Sequence, residues 1–121
     1  ETGDVVWVVM DVDRWKTEQL YELANICQQE KWGYALSNPC FEVWLMMHVR
    51  NINDVDFSTC KELKHELGKT IRGGYNVERF ASRITEAISR ADAIEDDVNS
   101  PIPGSKISRV HLAVKALQEM L

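Results

Sequence analysis

An α/β fold is predicted by this sequence, with a parallel-sheet core followed by a helical C-terminal half. Residues 5–10 form a continuous apolar run rich in β-branched residues, and residues 34–36 form a shorter one. An amphipathic stretch of helix length separates the two runs, which is typical of a parallel, right-handed βαβ unit. After residue 58, apolar residues recur mainly at helical spacing, which places helices in the second half of the chain.

The N-terminal elements follow from the hydrophobic pattern. The first run contains no polar residue, so we expect a strand buried on both faces of the sheet. Residues 16–31 are predicted to form an amphipathic helix that Gly33 ends, and residues 34–36 the second strand. Asn38 and Pro39 suit the N-cap and first position of a helix, so the next helix is expected to begin there and to run to Val49.

The second half is predicted to contain three helices, over residues 60–67, over residues 77–94 and from about residue 108. Two strands are too few for a stable open sheet. Either a third strand lies in the loops, with residues 69–72 as a candidate, or strands that precede Glu1 are missing. The unpaired edge left by a missing strand would favour a homo-oligomer.

Composition narrows the functional classes. The 121 residues are interpreted as one domain, 1–121, truncated if an upstream strand is missing. A net charge of −5 argues against passive electrostatic binding of nucleic acid, yet permits a metal-dependent enzyme, because bound cations supply positive charge. No apolar run is long enough to cross a bilayer, so no membrane partner is expected. Cys27, Cys40 and Cys60 lack CxxC spacing, which predicts buried, reduced thiols in the cytoplasm and neither a disulfide nor a zinc site.

Three carboxylates are the candidate metal ligands. Asp11 and Asp13 follow the first strand, and alternate residues of an extended chain face the same side, so both can flank one Mg²⁺ or Mn²⁺ ion. Glu42 lies early in the next helix, and Asn38 lies in the turn before it. Structural roles stay open: Asp13 and Asn38 as helix caps, Asp11 as a strand end, and Glu42 as a charge favoured at a helix N-terminus.

Residues 61–72 contain the only local concentration of basic side chains, which two glutamates dilute. Such a segment is usually a solvated surface. If a nucleic acid is the substrate, we expect Lys69 and Arg72 to contact its phosphate backbone. His48 is predicted to be a hydrogen-bonded residue at a helix end, because no nucleophile can be placed beside it.

The chain resembles a known family at these residues. Residues 8–15 (V-V-M-D-V-D-R-W) and 35–48 (A-L-S-N-P-C-F-E-V-W-L-M-M-H) resemble the RloB/AbiLii-like family of bacterial restriction-modification and abortive-infection loci. The resemblance continues more weakly to residues 105–111 (S-K-I-S-R-V-H). It implies a Toprim-type α/β fold and a role in defence against phage.

The resemblance also implies a chemistry. Toprim-type domains cut or transfer phosphodiesters with Mg²⁺, and Asp11 and Asp13 correspond to the D-x-D pair that holds the ion. Glu42, with Asn38, belongs to the family signature and would complete the site. The Toprim pattern expects a further glutamate on a strand upstream of the D-x-D, and this chain begins too late to contain it, so we expect little activity from this segment alone.

Three functional hypotheses follow. The leading one is a Mg²⁺-dependent, nuclease-type domain of a bacterial phage-defence protein, with DNA and RNA both open as substrates. The second is a non-catalytic regulatory or interaction subunit that binds a nucleotide or a partner ATPase. The third is a simple α/β interaction domain whose acidic residues only cap secondary structure.

Overall fold

The protein forms a mixed α/β structure around a small sheet. The computed structural model describes residues 4–71, 77–94, 96–97 and 99–121. The strands β1 (Trp7–Asp11), β2 (Gly33–Asn38) and β3 (Ile107–Ser108) lie side by side in that order. β1 and β2 are parallel, and α1 (Thr17–Glu30) connects them. The predicted α/β class and the βαβ unit are therefore confirmed.

The third strand comes from the C-terminal part of the chain. β3 pairs antiparallel with the end of β2, where Ser37 lies opposite Ser108 and Asn38 opposite Ile107. The candidate strand at residues 69–72 is wrong, because Lys69 and Thr70 belong to a helix, while Arg72 lies outside the described residues. A two-residue strand has no alternating pattern of its own, so its partner alone defines it.

β1 lies at an edge of the sheet within the described part of the chain. The side chain of Val9 is 42% exposed, and no residue of β1 is fully buried. The prediction of a strand buried on both faces is therefore wrong for β1. It holds better for β2, where Ala35, Leu36 and Ser37 are inaccessible to solvent because β2 has a strand on each side. The predicted homo-oligomer stays a prediction.

The main core lies among the helices that follow β2. These helices are α2 (Glu42–Met47), α3 (Cys60–Thr70), α4 (Val77–Ala81), α5 (Ile84–Asp92) and α6 (Val110–Glu119). α2 packs against both α3 and α5 and is the most buried helix, with Val43, Trp44, Met46 and Met47 almost inaccessible to solvent. Of the helices in the described ranges, none is long and apolar enough to cross a membrane.

The single helix predicted over residues 77–94 is two helices. α4 ends at Ala81 and α5 begins at Ile84. Between them, the Arg83 N–H bonds to the Phe80 carbonyl at 3.0 Å, a contact of three residues rather than four, and the Arg83 backbone leaves the helical region. The apolar spacing continues across this break, so the hydrophobic period did not reveal it.

Candidate functional site

The ends of the two parallel strands meet at one edge of the sheet, as the sequence predicts. Asp11, the last residue of β1, lies in register with Ser37, next to the last residue of β2. The Asp11 Oδ1 atom accepts a hydrogen bond from the Phe41 N–H at 2.8 Å. The Asp13 N–H donates to the Pro39 carbonyl at 3.1 Å. Two hydrogen bonds thus join the end of β1 and the turn after it to the segment that follows β2.

Asn38 does not begin a helix. It is the last residue of β2, its peptide bond to Pro39 is cis, and α2 begins only at Glu42. The predicted N-cap is therefore wrong, because pairing with β3 keeps Asn38 in the sheet. Its side-chain Nδ2 donates to the Pro103 carbonyl at 2.9 Å, so Asn38 links the sheet to the loop before β3.

Asp13 is exposed and lies in a 3-10 turn, Val12–Arg14. The rule that alternate residues face the same side applies to extended chain, and the chain stops being extended after Asp11. The helix cap proposed for Asp13 is also wrong, because α1 begins at Thr17, after Lys16. The Asp11 Oδ2 atom lies 3.7 Å from Nε of Arg14, a largely exposed guanidinium. Both oxygens of Asp11 therefore have partners in the protein.

Glu42 is the first residue of α2, where the helix dipole favours its charge. Its Oε1 atom lies 3.6 Å from Sγ of Cys60, the first residue of α3. Cys60 is bonded to Cys40 in a disulfide, with the two Cα atoms 6.1 Å apart, so this sulfur has no proton to donate and the contact is not a hydrogen bond. The prediction of reduced thiols is wrong for this pair and holds for buried Cys27.

A metal-capable cluster of side chains does exist, but its members differ from the predicted set. Within the described residues, the potential ligand atoms of Cys40, Glu42 and Cys60 lie within 4.8 Å of one another. In the disulfide the two sulfurs are not thiolates, and thiolate is the form that binds metal. Nothing in the cluster is specific to magnesium. The assignment of Asp11, Asp13 and Glu42 as ligands stays a prediction.

Of the two predicted phosphate contacts, the described part of the chain contains only Lys69. Lys69 is exposed in the last turn of α3, and its Nζ lies 3.3 Å from Oε1 of Glu66. Lys69 lies nine positions after Cys60, which is about 13.5 Å along a helix. Arg72, the second predicted contact, lies outside the described residues. The substrate contacts therefore also stay a prediction.

The family of the chain is decided by a match over nearly its whole length. Residues 1–117 match the family described as RloB-like protein. The chain belongs to the RloB-like protein family. The match covers the strand end at Asp11, the turn from Asn38 to Glu42, and Arg109. No curated protein and no solved structure matches this RloB-like chain.

Sequence reasoning missed a buried ion pair beside the sheet of this RloB-like protein. Arg109 is only 7% exposed, and its Nε lies 2.6 Å from Oδ2 of Asp96. The other guanidinium nitrogens donate to the carbonyls of Ser100, at 2.6 Å, and Asp97, at 2.9 Å. The backbone N–H of Arg109 donates to the Leu36 carbonyl of β2. Arg109 thus holds the loop before β3 against the sheet, and its place in the resembling segment 105–111 was the only signal.

Two other polar residues are structural. Burial raises the pKa of Tyr34 to about 12, and its hydroxyl donates to the Leu20 carbonyl at 3.0 Å. Tyr34 therefore stays protonated at neutral pH. Burial lowers the pKa of His48, whose Nδ1 lies 3.0 Å from the Trp44 carbonyl. This confirms the predicted hydrogen-bonded histidine at the end of α2.

Proposed function

We propose that this RloB-like chain is a metal-dependent nuclease-type domain that acts on nucleic-acid phosphodiesters in bacterial defence against phage. One observation carries the proposal: Asp11 ends a parallel strand and is hydrogen-bonded to the turn that leads to Glu42. Ligands of open α/β sheets bind at this edge, outside the carboxyl ends of the strands. The family membership is consistent with the Toprim-type chemistry that the resemblance implies.

The chemistry of the three proposed donors suits a hard divalent cation. Carboxylate oxygens are the ligands that Mg²⁺ and Mn²⁺ prefer. Asp13 is exposed, Asp11 is partly exposed and held by the Phe41 N–H, and Glu42 follows Phe41 as the first residue of α2. When bound, the cation would polarise a phosphate and stabilise the leaving oxygen. The residues of the chain position the ion, and Lys69 and Arg72 would contact the substrate backbone.

The alternative is a non-catalytic interaction subunit that binds a nucleotide or a partner ATPase. One observation favours it: the oxygens of Asp11 already face the Phe41 N–H and the Arg14 guanidinium, which is the arrangement of a structural carboxylate. In an interaction subunit of this kind Asp13 is not a metal ligand, so its substitution has no effect on the affinity for metal.

The affinity for Mn²⁺ distinguishes the nuclease-type domain from the interaction subunit. Mn²⁺ is titrated calorimetrically into the wild type, Asp13→Asn and the matched control Asp56→Asn, which alters an exposed aspartate in the second D-x-D of the chain. We choose Asp13 because Asp11 also supports the fold. The proposal expects Asp13→Asn to weaken binding by at least about tenfold and the control to bind like the wild type. Identical Mn²⁺ affinities in all three proteins would contradict the metal site and favour the interaction subunit.

Activity is then assayed on tRNA, single-stranded RNA and duplex DNA with Mg²⁺ or Mn²⁺. Cleavage that Asp13→Asn abolishes supports the nuclease and also identifies the substrate. A protein that binds Mn²⁺ but cuts none of these substrates contradicts the catalytic part of the proposal.

A further inference from the structure

We propose that the reduced protein binds Zn²⁺ through the thiolates of Cys40 and Cys60 and the carboxylate of Glu42, and that the disulfide is the metal-free form of the same site. This proposal does not rest on the nuclease function. It concerns a different ion and requires neither Asp11 nor Asp13, although Glu42 belongs to both ligand sets.

The positions of the three side chains suit a tetrahedral ion. With Zn–S near 2.3 Å and Zn–O near 2.1 Å, a sulfur and an oxygen on one tetrahedral zinc lie about 3.6 Å apart. The Cys60 Sγ and Glu42 Oε1 atoms are separated by 3.6 Å. Two sulfurs on the same ion lie about 3.8 Å apart, so they must separate once the disulfide is broken. The Cα atoms are 6.1 Å apart, so side-chain rotation suffices for this.

Hydrogen bonds fix the two backbone segments that carry the three proposed ligands. Cys40 and Glu42 lie on either side of Phe41, whose backbone N–H donates to Asp11. Cys60 is the first residue of α3, directly after the N-cap Thr59. The Thr59 side chain accepts a hydrogen bond from the Glu62 N–H at 3.2 Å, which holds the start of α3. Cys40 is fully buried, while Cys60 and Glu42 are partly exposed, so an ion has access from the side of Cys60.

The chemistry of the ligands selects the metal. Two thiolates and one carboxylate suit Zn²⁺, whereas Mg²⁺ and Ca²⁺ prefer oxygen ligands alone. Three protein ligands leave the fourth tetrahedral position to water. The pattern C-x-E with a distant third ligand lacks the CxxC spacing by which zinc sites are usually found in a sequence, so only the fold reveals it.

The redox step balances with a dithiol as reductant. The dithiol transfers two electrons and two protons to the Cys40–Cys60 bond, which gives two thiols, and the dithiol itself becomes a disulfide. Binding of Zn²⁺ then converts both thiols to thiolates and releases two protons to water. Disulfide and bound zinc therefore exclude each other.

The test measures Co²⁺ and Zn²⁺ binding by the reduced and the oxidised chain, with Mg²⁺ in excess. A phosphine serves as the reductant, because a dithiol would chelate the metal. We expect the reduced wild type to take up one Co²⁺ per chain with a thiolate-to-cobalt charge-transfer band, and Zn²⁺ to displace the Co²⁺. The oxidised wild type should bind neither ion at this site.

Two variants test the proposed ligands, and a third serves as the control. Cys60→Ser should reduce the intensity of the band by about half and weaken binding by at least about tenfold, and Glu42→Gln should keep the band but weaken binding similarly. The control Cys27→Ala removes the free cysteine and should bind like the wild type. Circular dichroism checks the fold of each variant, and Glu42→Gln retains both sulfurs should Cys60→Ser fail to fold.

Two results would overturn the proposal. One is a reduced wild type without a charge-transfer band, which would make the disulfide a purely structural link between the turn before α2 and the start of α3. The other is equal Zn²⁺ affinity in the wild type and Glu42→Gln, which would remove the carboxylate from the ligand set.

Discussion

At the scale of single residues, Asp11 shows how one carboxylate can serve the fold and a candidate site together. It ends β1 and accepts the Phe41 N–H, so it connects the first strand to the turn before α2. Hydrogen bonds to charged groups are stronger than those between neutral groups. The sequence places this residue at the carboxyl end of a strand, but its bond partner is thirty residues away and follows only from the fold.

We predict that Asp11→Ala lowers the free energy of unfolding by about 1–3 kcal/mol, because the Phe41 N–H loses its acceptor. Asp11→Asn keeps a side-chain oxygen and should cost less than Asp11→Ala. The matched control, Asp13→Ala, alters an exposed side chain and should change stability by less than about 0.5 kcal/mol. Urea denaturation measures all three, and equal losses for the two alanine variants would contradict the role of Asp11.

At the scale of secondary-structure elements, two glycines that look alike in the sequence have opposite surroundings. Gly33 begins β2 directly opposite Trp7 of β1, and a Cβ atom at Gly33 would overlap the indole ring. It does not end α1, as the sequence predicted, because Lys31 ends that helix in a left-handed conformation with φ of 59°. Gly68 lies inside α3, where a Cβ atom would meet no neighbour within 4 Å.

The two glycines should therefore respond oppositely to alanine. Gly33→Ala should lower the free energy of unfolding by about 1–3 kcal/mol, because the added methyl group forces the Trp7 ring or the strands to move. Gly68→Ala should raise it by about 0.5–1 kcal/mol, because alanine loses less conformational entropy in a helix. Thermal and urea denaturation of the two variants beside the wild type checks both signs. A stabilised Gly33→Ala protein would show that the indole does not lie over the glycine.

At the scale of the whole molecule, two histidines are buried in the folded state. His48 packs edge-on against Trp44 and Phe80, and burial lowers its pKa. Burial likewise lowers the pKa of His111, although Asp92, with Oδ1 at 3.4 Å from the His111 Nε2, opposes the shift. In both cases the folded state resists protonation more than the unfolded state does.

This predicts that the protein loses stability in mild acid. The unfolded histidines bind protons as the pH falls through about 6.5, while the folded ones stay neutral, so the unfolded state binds more protons. Stability is therefore complete above about pH 6.5 and decreases as the pH falls through the lowered folded pKa values. The slope contributed by each histidine is at most about 1.4 kcal/mol per pH unit.

Urea denaturation between pH 7.5 and 5 measures this slope. His48→Phe keeps an aromatic ring between Trp44 and Phe80 but removes one titrating group, so its stability should depend less steeply on pH. An unchanged slope in His48→Phe would mean that His48 does not resist protonation in the folded state.

Local pattern was a good guide to some elements and a poor guide to others. α1, β2 and the burial of α2 follow from runs of nearby residues, and the sequence predicted all three. The break at Arg83, the strand β3 and the edge position of β1 depend on partners elsewhere in the fold, and the sequence missed them. The candidate site divides in the same way: the shared strand edge was predicted, and the Cys40–Cys60 pair beside Glu42 was not.

By itself, the sequence determined the α/β class, the parallel βαβ unit and the RloB-like resemblance, because hydrophobic period and short motifs are local properties of the chain. Only the tertiary structure decided which side chains meet. Asp11 bonds to Phe41, Asn38 reaches Pro103, and Glu42 faces Cys60 across 18 positions of sequence. Such contacts form where distant segments pack together, and the spacing of neighbouring residues does not specify which distant residue a side chain will contact.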